Sequence, residues 1–165
     1  MVPVRITQGI LSLHILSPVM WRADWEWGLP LIVLTVVVHV LGLGFINQKT
    51  ARVFNHIMKR RHSTALFAMV MGTVTLLATI LHAIEAGIWA AAYRFVGALP
   101  DGKTAMLYSL NAITSYGHAS LSLEGEWQLM GAVEALSGWL LFGLTTAFLF
   151  GMLQKVWLLD DTRGH

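Results

Sequence analysis

Long apolar stretches alternate with short polar ones along this chain, at residues 29–46, 63–93 and 127–154. The first stretch contains one ionisable side chain, and each of the others contains one formally charged side chain; these are His39, Glu85 and Glu134. An α-helix needs roughly 20 apolar residues to cross a hydrocarbon core of about 30 Å. The pattern therefore predicts an all-α integral membrane protein with transmembrane helices at 27–46, 63–94 and 127–157.

The polar segments between these stretches predict how the chain is oriented. Residues 47–62 carry five of the eleven basic residues and no acid, which marks this segment as a cytoplasmic loop by the positive-inside rule. The N-terminal segment, 1–26, is then external or interfacial. The second span runs outward, the third runs inward, and the tail, 158–165, is cytoplasmic. We expect a multi-pass protein of the cell membrane.

Composition narrows the function classes. Of the 165 residues, 56% are hydrophobic and only 12% are charged, so a soluble domain is not expected. The chain has no cysteine, which excludes disulfides, thiolate metal sites and a cysteine nucleophile. The basic cluster is explained by topology, and we predict no nucleic-acid partner. A nucleophile elbow, a phosphate-binding glycine loop and a paired-carboxylate site are all missing from the sequence, so we do not expect an enzyme.

A segment between the second and third spans has a different character. Residues 104–123 are uncharged but rich in hydroxyl and small side chains, and they follow the helix-start signal Pro100-Asp101-Gly102. Apolar spacing predicts a short helix at 104–113, followed by a polar return. A helix of this length cannot span the membrane, and irregular backbone at membrane depth is tolerated only where it is buried in protein or lines a water-filled path. The segment therefore predicts a re-entrant loop.

This order of elements resembles the pore module of potassium channels. The resemblance covers residues 64–157 and rests on an outward helix, a short helix, the pair Tyr116-Gly117, and an inward helix that begins near Trp127. The inward helix is also similar to the pore-lining helix of bacterial one-pore-loop relatives. In that family the loop reads T-x-G-Y-G-D, and its backbone carbonyls replace the ion's hydration shell.

The resemblance implies a homotetramer around a selectivity filter at 114–118, with a monovalent cation, expected to be potassium, as the permeant ion and no other cofactor. Ser115 stands where the family has the first glycine of G-Y-G, and His118 stands where it has an aspartate. Without a gap Ile113 occupies the filter threonine position, whereas one deletion places Thr114 there. The implied ion ligands are Thr114, Ser115, Tyr116 and Gly117.

Further candidates surround this filter. At the outer mouth we expect His118, Glu124 and Glu126, and behind the filter Asn111, Glu85 and Glu134. On the inner helix, glycines are candidates for a bend or close approach and threonines for contact with water, with ordinary helix packing as the alternative for each. These inner-helix candidates are Gly138, Gly143, Thr145 and Thr146.

Three functions are compatible with these residues. The expected one is a cation channel, with reduced selectivity as a consequence of the altered filter. The first alternative is a channel-like membrane protein that does not conduct and acts as a sensor or interaction subunit. The second is a haem- or metal-binding membrane protein. It would use His39, His82 and Glu85, since His82 and Glu85 stand three residues apart on one helix face.

Overall fold

The described part of the protein is all-helical in the computed structural model, as the hydropathy pattern predicts. The structure describes the backbone of residues 4–58, 64–117, 123 and 127–161, and the side chains within 22–52, 65–117, 123 and 127–154. Four helices occur in these ranges, and they are α1 (Val4–Met58), α2 (Thr64–Phe95), α3 (Gly102–Ile113) and α4 (Gln128–Asp161).

Three of the helices are long and apolar enough to cross a membrane, namely the parts of α1, α2 and α4 at Arg22–Arg52, Ala65–Phe95 and Gln128–Gln154. This finding agrees with a multi-pass membrane protein. Helix α3 has only 12 residues, which at about 1.5 Å per residue is too short to cross a hydrocarbon core.

Several predicted boundaries are displaced. Helix α1 continues through residue 46 to Met58, so most of the basic segment 47–62 is helical and not a loop. The expected N-terminal segment, 1–26, belongs to α1 from Val4 onward. Residues 47–58 contain neither proline nor glycine and include good helix formers such as lysine, arginine and glutamine, so a change of polarity there does not end the helix. For the same reason α4 extends to Asp161, into the expected tail.

Helix α3 packs against both α2 and α4, and α1 packs across the same two helices. The core at this junction is aromatic: Trp89 and Tyr93 of α2 are fully buried, and Tyr93 meets Tyr108 of α3 edge-on with ring centroids 5.2 Å apart. Met130 of α4 closes the same cluster. The short helix is therefore held inside the bundle by large side chains.

Asp24 of α1 stabilises the start of α4. Its buried carboxylate accepts a hydrogen bond from the backbone N–H of Met130, with the nitrogen 3.1 Å from Oδ1. The first N–H groups of a helix have no partner within the helix, and a negative charge is favourable at that end. A side chain of the first span thus fixes where the third span begins.

Helix α3 begins at an N-cap that predicts a pH-dependent stability. The Asp101 carboxylate accepts from the Thr104 N–H at 3.0 Å and from the Thr104 hydroxyl at 2.7 Å, and these hydrogen bonds lower the pKa of Asp101. A lowered pKa adds stability above the carboxyl's ordinary range, and this stability is lost as the pH falls through the folded-state value. We expect Asp101→Ala to lower the melting temperature at pH 7 and to reduce the difference between pH 7 and pH 3. An unchanged pH profile would contradict this role of the cap.

Candidate functional site

The end of α3 turns the chain sharply. Thr114 is the C-cap, the Ser115 N–H donates to the Ala112 carbonyl at 2.9 Å, and the Tyr116 N–H donates to the Asn111 carbonyl at 3.0 Å. This pair of bonds is a Schellman motif, which requires a left-handed residue where Ser115 stands. Ser115 has a φ of 54°, and Gly117 follows with a φ of 93°. Two of three consecutive residues after α3 are therefore left-handed.

Side chains of the expected filter lie in different settings. Tyr116 is 85% exposed, whereas the Thr114 hydroxyl donates to the Leu110 carbonyl of its own helix at 2.6 Å. The Ser115 Oγ accepts from the Trp139 indole N–H of α4 at 2.9 Å. A left-handed serine costs roughly 1 kcal/mol or more relative to glycine, and the contact with Trp139 uses the serine hydroxyl, which glycine lacks. Serine at this position is thus tied to α4.

Behind the turn, Glu134 of α4 joins the short helix to α2. Its fully buried carboxyl accepts from the Tyr93 hydroxyl at 2.7 Å and contacts the Ser109 hydroxyl of α3. Ser109 Oγ also lies 2.7 Å from the Ala86 carbonyl of α2, to which it can donate. Glu134 was expected behind the filter, and here its carboxyl lies against α3.

The hydrogens in this cluster can be counted. The Ser109 hydroxyl has one hydrogen, so it cannot donate to Ala86 and to Glu134 at once. If the carboxyl carries a proton, Glu134 donates to Ser109, Ser109 donates to Ala86, and Tyr93 donates to Glu134. Each of the three bonds then has one hydrogen, so the geometry suits a neutral Glu134.

The two inner-helix glycines differ. A Cβ on Gly138 would collide with the backbone carbonyl oxygen of Ile113, the last residue of α3, and would lie 2.9 Å from its carbonyl carbon. A Cβ on Gly143 would meet nothing within 4 Å. Gly138 thus allows α3 and α4 to approach closely, while Gly143 has no such contact within the described residues.

A second polar cluster lies where the three long helices meet. The fully buried His39 of α1 places Nδ1 2.7 Å from Glu85 Oε1, and His82 of α2 places Nδ1 3.1 Å from Glu85 Oε2. On the opposite side, the Thr145 hydroxyl of α4 lies 3.1 Å from Nε2 of each histidine. Four side chains from α1, α2 and α4 therefore share one buried polar site, and we call it the histidine cluster.

This cluster decides between alternatives that the sequence left open. Thr145 was a candidate for contact with water in a pore, with helix packing as the alternative, and it is buried against both histidines. Glu85 was a candidate both for the back of the filter and for a site with His39 and His82, and its carboxylate lies against these two histidines. Thr146, in contrast, is exposed, and its hydroxyl donates to the Phe142 carbonyl at 2.8 Å. Helix periodicity explains the difference, because adjacent residues point about 100° apart.

The histidine cluster does not suit a haem. The ring centroids of His39 and His82 are only 5.1 Å apart, and both nitrogens of each ring already face Glu85 or Thr145. A macrocycle between the rings would have to displace the α1–α2 contact. The same spacing does suit a single ion, because one ligand atom of each of His39, His82 and Glu85 lies within 4.8 Å of the others.

The remaining predicted site residues are either outside the described residues or have a backbone role. The expected outer-mouth residues, His118, Glu124 and Glu126, lie outside the described residues. Asn111 contributes its backbone carbonyl to the turn. Sequence reasoning missed Tyr93 and Ser109 as partners of Glu134. Their only signal was position, since both stand on the helices that flank the re-entrant segment.

Comparisons with protein-family models, with curated proteins and with solved structures found no match to this chain.

Proposed function

We propose that this chain is the subunit of a homotetrameric cation channel of the cell membrane, with potassium as the permeant ion. The observation that carries the proposal is α3, a helix too short to cross the membrane that packs against two helices long enough to do so. A short helix followed by an irregular polar return at membrane depth needs a protein or aqueous environment. A pore loop provides both.

The turn after α3 supports a role in ion binding. Backbone carbonyls of Thr114, Ser115, Tyr116 and Gly117 are the proposed ligands, since carbonyl rings replace water around a permeating cation. Ser115 and Gly117 have left-handed φ angles, and Tyr116 between them does not. This alternation of backbone conformation changes the direction of successive carbonyl groups. The hydrogen bond from Trp139 offsets part of the cost of a left-handed serine at position 115. The proposed filter therefore differs from the potassium-channel pattern but keeps the left-handed turn.

A single loop cannot surround an ion, so the proposal requires four copies around one axis. Helix α4 presents a suitable surface. Large apolar side chains of α4 are exposed in the single chain, Trp139 by 71% among them, and they would contact lipid or neighbouring copies. These side chains are Leu136, Trp139, Leu140, Phe142, Leu144 and Phe150. The positive-inside rule places the N-terminus outside and the C-terminus in the cytoplasm.

The test is cation flux through the purified protein in liposomes, with potassium, sodium and a large organic cation compared. We expect potassium flux, and we expect Gly117→Ala to reduce it by about tenfold or more, since a left-handed alanine costs roughly 1–2 kcal/mol in each subunit. A Cβ on Gly117 meets nothing within 4 Å in the described part of a single chain, so the strain within the subunit arises from the backbone.

Gly97→Ala is the matched control. Gly97 is also left-handed, with a φ of 76° and open space around it, but it lies in the turn between α2 and α3. It should carry the same backbone penalty and leave potassium flux unchanged. Equal loss of flux in both variants would count against the filter. A folded tetramer that passes none of the three ions would favour the non-conducting sensor or interaction subunit.

A further inference from the structure

We propose that the histidine cluster binds one divalent transition-metal ion of the zinc class, with His39, His82 and Glu85 as protein ligands and Thr145 as the partner of both histidines. The site would join the first span to the two helices that flank α3. It is independent of the proposed channel activity, because it is argued only from the contacts among α1, α2 and α4.

A poorly matched contact in the cluster points to a ligand. His82 Nδ1 and Glu85 Oε2 are both buried and lie 3.1 Å apart as an ion pair, yet their geometry does not form a hydrogen bond, and neither atom has a hydrogen-bond partner elsewhere in the described part of the chain. Buried polar atoms without a partner cost free energy, and nearly all find one in folded proteins. A cation held between the imidazole nitrogen and the carboxylate would satisfy both atoms together with His39 Nδ1.

The donor set selects the class of ion. Two imidazole nitrogens and one carboxylate suit zinc and its neighbours, whereas calcium and magnesium prefer oxygen ligands throughout. Tetrahedral zinc with bonds of about 2.1 Å places its ligand atoms about 3.4 Å apart. The three ligand atoms here lie within 4.8 Å of one another, and the contacts of Glu85 with the two histidines are 2.7 Å and 3.1 Å, so small rearrangements of these side chains would give the tetrahedral spacing.

Thr145 fits the role of an outer partner. A metal-ligating histidine usually donates its other ring N–H to an oxygen, which fixes the tautomer and the ring orientation. With the metal on Nδ1, both histidines carry hydrogen on Nε2, and both Nε2 atoms lie 3.1 Å from the Thr145 hydroxyl oxygen. That oxygen has two lone pairs, so it can accept both bonds.

The alternative for this cluster is a metal-free hydrogen-bonded network. Glu85 as a carboxylate would accept from Nδ1–H of each histidine, and the single Thr145 hydrogen could then pair with only one of the two Nε2 atoms. The second Nε2 would need an extra proton. The 3.1 Å contact between His82 and Glu85 would also have to become a hydrogen bond, which its present geometry does not form.

Metal titration of the full-length protein in detergent tests the proposal. After treatment with a chelator and dialysis, the protein is titrated with zinc and with cobalt(II). Bound metal is measured by elemental analysis, and cobalt is followed by its visible absorption. We expect one ion per chain and the absorption spectrum of tetrahedral cobalt. Absence of stoichiometric binding by the wild-type protein would overturn the proposal.

Variants assign the ion to this cluster. His39→Gln and Glu85→Gln should abolish the cobalt spectrum, and the double variant His56→Gln/His62→Gln, in the basic segment, should retain it. Retention of the spectrum in His39→Gln would overturn the proposal, as would its loss in the double variant.

A milder pair of variants keeps the test informative if His39→Gln fails to fold. Thr145→Val should weaken zinc binding by about 10–100-fold, the usual effect of removing an outer partner. Thr146→Val, at the adjacent exposed position, should leave the affinity unchanged. Equal zinc affinities in the two variants would refute the assignment of Thr145 and, with it, the proposed geometry.

Discussion

Replacing Glu134 with alanine is expected to destabilise the protein by about 2–5 kcal/mol, because a buried hydroxyl loses its acceptor and a cavity opens between α2, α3 and α4. Tyr93 is fully buried, and its hydroxyl donates to Glu134. The Ser109 hydroxyl would lose its hydrogen bond to α4 and keep the one to the Ala86 carbonyl. The result should be a lower melting temperature in detergent and, on the proposed channel function, a loss of potassium flux.

Glu134→Gln is the informative control. The amide can donate to Ser109 and accept from Tyr93, so it reproduces the hydrogen bonds of a neutral carboxyl. We therefore expect the melting temperature of this variant to stay close to that of the wild type. A loss of stability as large as that of the alanine variant would mean that Glu134 acts as a charged carboxylate and not as a neutral carboxyl.

Gly138→Ala is expected to be the most disruptive single-methyl change on α4. The new Cβ would collide with the Ile113 carbonyl oxygen, which is backbone and cannot rotate away. Overpacking of this kind costs typically about 1–3 kcal/mol, and here it would push the end of α3 away from α4. The contact between Trp139 and Ser115 lies one residue further along α4, so the turn after α3 should be disturbed as well.

Gly143→Ala, on the same helix, is expected to have the opposite effect on stability. Among the described residues, nothing lies within 4 Å of the position that a Cβ on Gly143 would take, and alanine is the better helix former by about 1 kcal/mol. Thermal unfolding in detergent should therefore show a decrease for Gly138→Ala and a small increase for Gly143→Ala. Shifts of equal sign and size would show that Gly138 does not control the approach of α3 to α4.

The number and type of the long helices follow from local information. Nearly uncharged stretches bounded by polar residues identify a helix of spanning length, because every residue contributes to the same transfer free energy. Helix α3 was predictable in the same way from Asp101-Gly102 and the apolar positions after it. The helix ends were less predictable. Polarity changes at residue 46, but helix propensity does not, and α1 continues.

The pairing of polar side chains was predictable only in part. His82 and Glu85 share a helix face by spacing, and the sequence grouped His39 with them as one alternative, but whether they meet, and which residue of α4 joins them, depends on the packing of α1 and α4 against α2. The adjacent threonines of α4 illustrate this, since one completes the histidine cluster and the other faces outward. Glu134 and Glu85 are each the only charged residue of an apolar stretch, but their partners differ. Glu134 contacts Ser109 of α3, whereas Glu85 contacts His39 and His82.

The sequence by itself determined that this chain has three apolar helices of membrane-spanning length and a short helix before the last of them, because hydrophobicity and helix capping act over a few neighbouring residues. The tertiary structure alone decided that His39 meets Glu85, that Asp24 caps α4, and that Gly138 receives the end of α3. Such contacts join residues distant in sequence, and their geometry depends on how whole helices pack and rotate against one another.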